Sequence, residues 1–356
     1  MVKGMRMWIS ESLVPWTRQQ RSPDNGIFPL VLDKINVIRD RRYVACGEIE
    51  SLMNYFAVSK GDTDVCVVYD GTLSGLNGSL WAPYFPLPTL QSHLRIVEPG
   101  TYMADNDVGE CFHDWILDAR VRKWCGIDLT SILRSETRVW ERWERCAMGL
   151  RPSPYVSFRG TLWLKEESHG DPSDPENVFR WERVELNLPG HEDCAPHKSW
   201  VSKRRSDGSL AADSISFVDD IRPTGPTEAD ARQASQVMAK QAAWCGIQDA
   251  TRKQRDVSQT PDAWAGYVVH TADGDVSTMV EQTKWVKAKA KLQWVSNQLE
   301  SGSGVEYKPL ESIRGFLVYV AQAYPPMIPY LRGFHGTLDS RRPNRTKDGF
   351  DGTFER

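Results

Sequence analysis

Two segments that are predicted to be β strands end in aspartates. Residues 100–107 form the first and end at Asp107, and residues 211–218 form the second and are followed by Asp219 and Asp220. Carboxylate oxygens are hard ligands that suit divalent cations such as Mg²⁺. If the two strands are neighbours, the three aspartates form a cluster able to hold two divalent ions. Such a site requires a fold in which these two strand ends, far apart in sequence, lie side by side.

The aspartate pair is not informative by itself, because adjacent aspartates after a strand are in most proteins solvent-exposed turn residues. The chain has 356 residues, which is enough for two or three lobes. Its net charge of −3 argues against a passive nucleic-acid coat, which is normally basic overall. The 44 Lys and Arg residues can still line one channel while 47 acidic residues cover other surfaces. The composition therefore leaves room for an enzyme with a basic channel.

Hydrophobic periodicity predicts both helices and strands along the chain. Helices are expected at residues 44–58, 111–118, 131–147, 155–165, 227–244 and 280–299, and from 310 up to the Pro325-Pro326 break. Strands are expected at residues 66–69, 100–107, 180–188, 200–204, 211–218 and 264–270. The segment 168–212 is otherwise irregular, with a hairpin turn at 206–209.

The cysteine content and the hydropathy pattern bear on the compartment. The seven cysteines have no CxxC spacing, which favours reduced thiols. The N-terminus has no apolar run long enough for a signal peptide, and no later segment is apolar enough to span a membrane. We therefore expect an intracellular protein, cytoplasmic or nuclear, without a membrane partner.

Five segments with distinctive spacing follow one another in a fixed order. They are Asp107-Val-Gly-Glu-Cys-Phe112, Met148-Gly149-Leu150-Arg151-Pro152-Ser153-Pro154, Phe217-Val218-Asp219-Asp220, Gly246-Ile-Gln-Asp-Ala-Thr-Arg252-Lys253 and Trp264-Ala-Gly266-Tyr267. In this order they resemble the motifs of the reverse transcriptase family, particularly the polymerases of retrotransposons and retroviruses. The resemblance covers about residues 60–270.

The resemblance implies a metal site and a sugar-selecting residue. Asp107 and Asp219 would hold two Mg²⁺ ions, with Mn²⁺ as a substitute, and Asp220 would be a secondary ligand. Phe112 would lie beneath the incoming sugar and occupy the volume that a 2′-hydroxyl needs. Asp105 has two interpretations, since on a strand it faces the same side as Asp107. It either assists the metal site or is solvated.

The resemblance also assigns residues to the substrates. Nucleotide binding would involve Met148, Gly149, Arg151 and Lys253, and primer or template binding would involve Ser153, Pro154, Trp264, Gly266 and Tyr267. Arg151 either neutralises a phosphate or covers a surface, and Trp264 and Tyr267 either face the primer or belong to the core. Met148 stands where the family often has glutamine. The finger arginine of the family is missing from residues 71–75, and Lys60 is a candidate substitute.

The implied fold class is α+β, a right-hand polymerase with an antiparallel palm sheet backed by helices, plus fingers and a helical thumb. The fingers would comprise residues 1–88 with about 124–147, and the palm 89–123 and 148–270 with an insertion at about 168–212. Residues 271–356 would form the thumb and a C-terminal tail. Four lysines between positions 284 and 291 either follow a duplex backbone or form a solvated helical face.

The implied activity is that of an RNA-directed DNA polymerase of a retroelement, which transfers nucleotides from dNTPs to a primer 3′-hydroxyl. Its partners would be an RNA or DNA template with primer, dNTPs and, in a retroelement, other parts of the polyprotein. Two alternatives remain open: a catalytically inactive, polymerase-derived nucleic-acid-binding protein, and an RNA-dependent RNA polymerase. Phe112 argues against the second, because enzymes that recognise ribose usually have a smaller or polar residue there.

Overall fold

The computed structural model describes residues 4–10, 12–18, 20–60, 63–195, 198–248, 255–340 and 353–354. The helices are α1 (Phe28–Asp40), α2 (Leu76–Ser79), α3 (Leu90–His93), α4 (Ser153–His169), α5 (Glu228–Trp244), α6 (Gln282–Glu300), α7 (Tyr307–Val320) and α8 (Ile328–Ser340). The strands are β1 (Trp8–Ile9), β2 (Val44–Ala45), β3 (Asn54–Lys60), β4 (Asp64–Asp70), β5 (Leu80–Trp81), β6 (Tyr102–Asp107), β7 (Gly126–Asp128), β8 (Trp140–Trp143), β9 (Arg183–Leu186), β10 (Val201–Arg204), β11 (Asp213–Phe217), β12 (Asp220–Gly225), β13 (Arg255–Ser258), β14 (Tyr267–His270), β15 (Ser277–Val280), β16 (Val305–Glu306) and β17 (Thr353–Phe354).

A four-stranded antiparallel sheet with the order β11-β12-β6-β13 lies at the centre of the molecule. Helix α5 packs against β6 and β12, and helix α4 packs against α5 and β11. Buried alanines at positions 231, 234 and 242 of α5 have the spacing of one helical face. These small side chains let the helix approach the sheet closely, and Asn106 of β6 bonds the Ser235 hydroxyl and carbonyl of α5.

The N-terminal cap of α5 matches the sequence prediction. Thr227 precedes the helix in an extended conformation, and its hydroxyl accepts a hydrogen bond from the backbone N–H of Asp230 at 3.1 Å. Glu228 and Asp230 place negative charge in the first turn, where it favours the helix dipole. The predicted helix 227–244 is thus confirmed.

Removal of this cap gives a direct test of the fold. We expect Thr227→Ala to lower the free energy of unfolding by about 1 kcal/mol, because it leaves a helical N–H without its acceptor. Thr227→Ser keeps a hydroxyl in place and is expected to retain most of the stability. Urea unfolding of both variants measures the difference, and equal losses in both would show that the cap is not the cause.

A long hairpin precedes the central sheet in the chain. Strands β3 and β4 pair over seven residues, from Asn54 opposite Asp70 to Lys60 opposite Asp64. Tyr55, Val65 and Tyr69 are buried on its inner face. The strand predicted at 66–69 is confirmed within β4.

Three predicted helices are wrong. Residues 44–58 contain β2 and most of β3, residues 131–147 contain turns and β8, and residues 111–118 form turns. Their apolar spacing fits a helix locally, but pairing with distant segments decides the outcome. Strand β8 pairs with both β2 and β7, which buries Trp143 completely. Long-range hydrogen bonds have overridden local periodicity here.

The expected insertion at 168–212 is anchored to the rest of the chain. Its strands β9 and β10 form an antiparallel hairpin, close to the strands predicted there. Arg204 pairs with Glu98 before β6 and with Glu185 on β9. Arg205 donates to Asp230 of α5 at 2.8 Å. Residues 168–212 are therefore attached to α5 and to the segment before β6 by buried arginines.

The C-terminal helices pack around a second buried cluster that also includes a residue of the central sheet. Met103, Tyr267, Val269, Ile313 and Leu317 belong to one buried cluster, which lies between the β14–β15 hairpin and helices α6 and α7. A short 3-10 helix at Pro325–Met327 separates α7 from α8, which confirms the predicted break. No helix in the described part of the chain is long and apolar enough to cross a membrane.

Buried histidines make the stability of the fold sensitive to acid. Burial lowers the pKa of His93 to about 3 and those of His113 and His169 to about 4. These groups are neutral in the folded chain and become protonated on unfolding below pH about 6.5. Burial raises the pKa of Asp114 to about 7, so this carboxyl instead releases a proton on unfolding above pH about 4.

We expect stability to fall as the pH is lowered from about 6.5 toward about 4, since three histidines take up protons on unfolding and one aspartate opposes them. The net uptake near pH 5.5 is about two protons. Urea midpoints at pH 7 and pH 5 measure this slope. His93→Phe keeps a ring beside Trp264 and should reduce the number of protons taken up on unfolding by about one, which makes stability less dependent on pH. A slope unchanged by that substitution would contradict the assignment.

Candidate active site

The register of the central sheet brings the predicted aspartates together. In the antiparallel ladder of β6 and β12, Asp107 lies directly opposite Asp220. The backbone N–H of Val108 donates to the carbonyl of Asp219 at 2.9 Å, which continues the contact beyond the strand end. Directly opposed residues project from the same face of a sheet. Asp107 and Asp220 therefore share the face opposite α5, because the neighbouring Asn106 faces that helix.

Asp219 lies in a tight turn with an unusual backbone. Phe217 pairs with Asp220, so Val218 and Asp219 are the two turn residues. Val218 has φ of +57°, a left-handed conformation that is costly for a β-branched residue. The hydroxyl of Thr161 on α4 donates to the Val218 carbonyl at 3.1 Å, which helps to hold the turn. Strain of this kind clusters at functional sites.

The side chain of Cys111 lies within the electrostatic reach of two of the aspartates. Burial, together with the negative charges of Asp219, Asp114 and Asp107, raises the pKa of its thiol to about 12. Both Asp107 and Asp219 therefore lie close enough to influence the Cys111 thiol, in the loop that follows β6. The thiol also contacts the Ser157 hydroxyl of α4 at 2.6 Å.

The carboxylates at the end of the central sheet are the candidate ligands for a divalent cation. Within the described ranges, no three His, Cys, Asp or Glu side chains are arranged closely enough to hold a metal ion by themselves. Mg²⁺ in nucleotide-handling sites is usually held by one or two carboxylates, waters and substrate phosphates. Asp107 and Asp220 are opposed on one face of the sheet and Asp219 lies in the adjoining turn, so a cation bound here would need further ligands from a substrate.

Asp105 has a structural role that neither sequence interpretation included. It accepts two hydrogen bonds from Arg222, at 2.7 Å from Nε and 2.9 Å from Nη2. Arg222 is fully buried, so the bidentate pair compensates its charge inside the sheet. The carboxylate is thereby held by β12 and is not a solvated turn residue.

The loop after β6 carries Phe112 and rests on α4. Phe112 is half-buried and packs against the main core. The indole N–H of Trp115 donates to the Ser157 hydroxyl at 3.3 Å. Three residues of this loop region, Cys111, Phe112 and Trp115, are thus fixed by core contacts or by α4. The predicted role of Phe112 in selecting the sugar stays a prediction.

The segment 148–151 lies along the edge of β4. Tyr69 donates its N–H to the Met148 carbonyl at 3.1 Å, and Gly149 has φ of +105°. A Cβ atom at Gly149 would lie 1.8 Å from the Tyr69 carbonyl oxygen, so glycine is required there. Asn77 binds both sides of this glycine, since its Nδ2 donates to the Gly149 carbonyl and its Oδ1 accepts from the Arg151 N–H, each at 2.8 Å. The side chain of Arg151 is exposed, and both interpretations of it stay open.

Ser153 and Pro154 begin α4. Ser153 is completely buried, and its hydroxyl donates to the Ala147 carbonyl at 2.9 Å. Pro154 lies in the first turn, where its missing N–H costs nothing. These two residues set the start of α4, and a template contact here would come from the exposed Pro154 rather than from the buried Ser153.

Trp264 and Tyr267 enclose a two-residue turn. Their backbones exchange hydrogen bonds of 2.8 and 2.9 Å, and Ala265 and Gly266 both have positive φ, as this hairpin type requires. Both aromatic side chains are 4% exposed, so they belong to the core. The indole N–H of Trp264 donates to the Asp220 carbonyl at 3.3 Å. A primer contact here would involve the turn Ala265–Gly266 rather than the two rings.

The structure adds residues that no local motif indicated. Thr161 supports the strained turn, and Arg41 and Tyr43 contact Glu110 in the loop before Phe112. They come from separate elements, so no sequence spacing could have revealed them. Lys253 lies outside the described residues, as does the side chain of Lys60.

Comparisons with known proteins address the fold. No protein-family model and no curated protein matches the chain. The foamy viral protease-reverse transcriptase dRH in complex with ds DNA matches with a TM-score of 0.64 and 12% identity over 96% of this chain and 47% of that chain. The foamy viral protease-reverse transcriptase in complex with RNA/DNA hybrid matches with a TM-score of 0.58 and 13% identity, over 96% of this chain and 37% of that chain. The chain spans less than half the length of either structure.

At this level of identity, the likeness concerns the fold alone. The chain has a reverse-transcriptase-like fold, and the predicted α+β polymerase fold class is confirmed. The domain boundaries and the roles of the site residues stay predictions.

Proposed function

We propose that the chain is an RNA-directed DNA polymerase of a retroelement, which adds nucleotides from dNTPs to a primer 3′-hydroxyl. The observation that carries the proposal is the register that sets Asp107 opposite Asp220, beside the strained turn at Asp219, in a reverse-transcriptase-like fold. The similar structures contain ds DNA and an RNA/DNA hybrid, which supports nucleic acid as the partner.

Asp107, Asp219 and Asp220 would hold two Mg²⁺ or Mn²⁺ ions together with the phosphates of a bound dNTP. Two such ions activate an attacking hydroxyl and stabilise the charge on a leaving group. The contribution of the chain is then largely positioning, because phosphoryl transfer requires little covalent chemistry from a protein. Phe112 would exclude a 2′-hydroxyl, and the Met148–Gly149 backbone would approach the nucleotide.

Primer extension tests the proposal. Purified protein is incubated with an oligo(dT) primer on poly(rA), dTTP and either Mg²⁺ or Mn²⁺. We expect extension that depends on the metal and is lost on addition of EDTA. Extension with UTP as efficient as with dTTP would instead indicate an RNA-synthesising enzyme.

A second candidate function is nucleic-acid binding without catalysis. The observation that favours it is the lack, within the described residues, of a ready-made cluster of three metal ligands. The missing arginine at residues 71–75 points the same way. If the protein binds the primer–template but extends nothing with either metal, and Asp219→Ala leaves binding unchanged, this function replaces the polymerase.

The role of Phe112 leads to a specific prediction. We expect Phe112→Val to raise the incorporation of ribonucleotides relative to deoxynucleotides by at least about tenfold, because a smaller side chain leaves room for the 2′-hydroxyl. The measurement is the ratio of kcat/KM for dTTP and UTP. Phe112→Tyr keeps the ring and serves as the matched control. An unchanged ratio in Phe112→Val would show that another residue selects the sugar.

A further inference from the structure

Four side chains from three parts of the chain meet in the loop between Asp107 and Phe112. Arg41 follows α1, and its Nη1 lies 2.5 Å from one oxygen of Glu110. The Tyr43 hydroxyl donates to the other oxygen of Glu110 at 2.8 Å. Gln248 closes the arrangement, because its Oε1 accepts from Arg41 at 3.2 Å and its Nε2 donates to the Tyr43 hydroxyl. We call these four residues the Glu110 network.

The network acts on a backbone that does not adopt its shape readily. Glu110 has φ of +54°, a left-handed conformation that is uncommon for a glutamate. The backbone on either side is also held, since Gly109 donates to the Gln248 carbonyl at 2.8 Å and His113 donates to the Glu110 carbonyl at 2.6 Å. A conformation of this kind persists when its surroundings determine it more than once.

Charge and hydrogen bonding act together at Glu110. Burial tends to raise the pKa of its carboxyl, but the Tyr43 hydrogen bond and the Arg41 charge hold that pKa below its usual range. The side chains of Arg41 and Glu110 are 44% and 34% exposed, so the ion pair alone contributes little. The closed set of hydrogen bonds is therefore what fixes the side chain of Glu110.

Neighbouring aromatic rings extend the support of this loop. The His113 ring stacks on Trp143, with centroids 5.0 Å apart and planes 16° from parallel. The Tyr43 ring lies 5.2 Å from the His113 ring. Phe112 thus has the Glu110 network on one side in sequence and a stacked, buried histidine on the other. Its backbone position depends on both.

We propose that Arg41, Tyr43 and Gln248 act through Glu110 as positioning residues, which hold Phe112 where it selects the sugar of the incoming nucleotide. This inference rests on the polymerase function proposed above. Arg41 and Tyr43 lie far in sequence from every motif-bearing segment. A displacement of the N-terminal part of the chain would therefore change sugar selection without touching a catalytic group.

The test compares Arg41→Ala and Gln248→Ala with Arg232→Ala, which removes an exposed arginine paired with Glu228 on α5. We expect the ratio of kcat/KM for dTTP over UTP to fall about tenfold in the first two variants and to stay unchanged in the control. Arg41→Lys keeps a cation and should recover part of the discrimination. The double variant Arg41→Ala/Gln248→Ala should lose no more than either single variant, since both act through one network.

A second measurement separates this inference from the proposed function. Amide hydrogen exchange of residues 109–114 should become faster in Arg41→Ala and Gln248→Ala but not in Arg232→Ala. Unchanged exchange overturns the inference, whether or not the wild type extends a primer. Faster exchange with wild-type sugar discrimination overturns the role in selection. A wild type that extends no primer overturns the proposed function, and the selection step with it.

Discussion

Replacement of Asp107 by asparagine is expected to reduce primer extension by at least about a thousandfold. Asparagine has nearly the same shape, so the ladder between β6 and β12 and the fold should be retained. The change removes one of the negative charges that would neutralise two divalent ions. Asp107 lies on the sheet face shared with Asp220, and the next residue, Val108, bonds the Asp219 carbonyl. Single-nucleotide incorporation under saturating dTTP measures the loss.

Asp207→Asn provides the matched control for charge. Asp207 lies in an exposed hairpin turn and accepts hydrogen bonds from the backbone and hydroxyl of Ser209. Asparagine can accept the same bonds, and we expect extension within about twofold of wild type, because exposed charges far from a site are screened. Binding of primer–template should be retained in both variants. An Asp107→Asn protein that extends primers at the wild-type rate would remove Asp107 from the proposed metal site.

A change at Asp105 should have a different effect. Its carboxylate compensates the fully buried Arg222, so Asp105→Ala leaves an unpaired charge inside the sheet. We therefore expect loss of folded protein rather than a selective loss of extension. The two aspartates lie two residues apart on the same face, yet their partners across the ladder give them different roles.

The different roles of Asp105 and Asp107 could be predicted from the sequence in part. The strand ending at Asp107 and the turn at Asp219 follow from apolar runs bounded by turn residues, and both were predicted. Which aspartate faces an arginine depends on register, and register is set by contacts between segments more than a hundred positions apart. A single sequence contains no direct signal for such a pairing.

The wrong helices have the same physical origin. Residues 44–58 and 131–147 have apolar residues at spacings that suit a helical face. In the structure these residues are strands and turns, because β8 satisfies its backbone with β2 and β7. In contrast, α5 has a cap, first-turn acids and a buried stripe within its own sequence, and it was predicted almost to the residue.

The structure explains the residue type at one position of the candidate site by backbone geometry. Gly149 was selected as part of a motif, and the structure gives the reason for glycine there. The Glu110 network was not predictable, because its members come from the segment after α1, the loop after β6 and the segment after α5. These residues come into contact on folding, and their positions in the sequence form no recognisable pattern.

Gly149→Ala is expected to lower the free energy of unfolding by about 3 kcal/mol or more. Two effects add at this position. The φ of +105° is unfavourable for any residue with a Cβ atom, and that atom would lie 1.8 Å from the Tyr69 carbonyl oxygen. Relief of the clash must move either residue 149 or β4, and the hydrogen bonds of Asn77 to both sides of the glycine would be disturbed. Equilibrium unfolding in urea measures the loss.

Two other glycines separate these effects. Gly100 also has positive φ, at +87°, but a Cβ atom there would meet nothing within 4 Å, so Gly100→Ala should cost about 1 kcal/mol. Gly315 lies inside α7 with open space around it, and Gly315→Ala should stabilise the chain by about 0.5–1 kcal/mol. We therefore expect the free energy of unfolding to be much lower in Gly149→Ala than in Gly100→Ala, and to be higher in Gly315→Ala than in the wild type. An equal loss of unfolding free energy at positions 149 and 100 would mean that β4 moves away from the added Cβ atom without destabilising the fold. The close approach of residues 148–151 to the hairpin would then not determine the geometry of this part of the site.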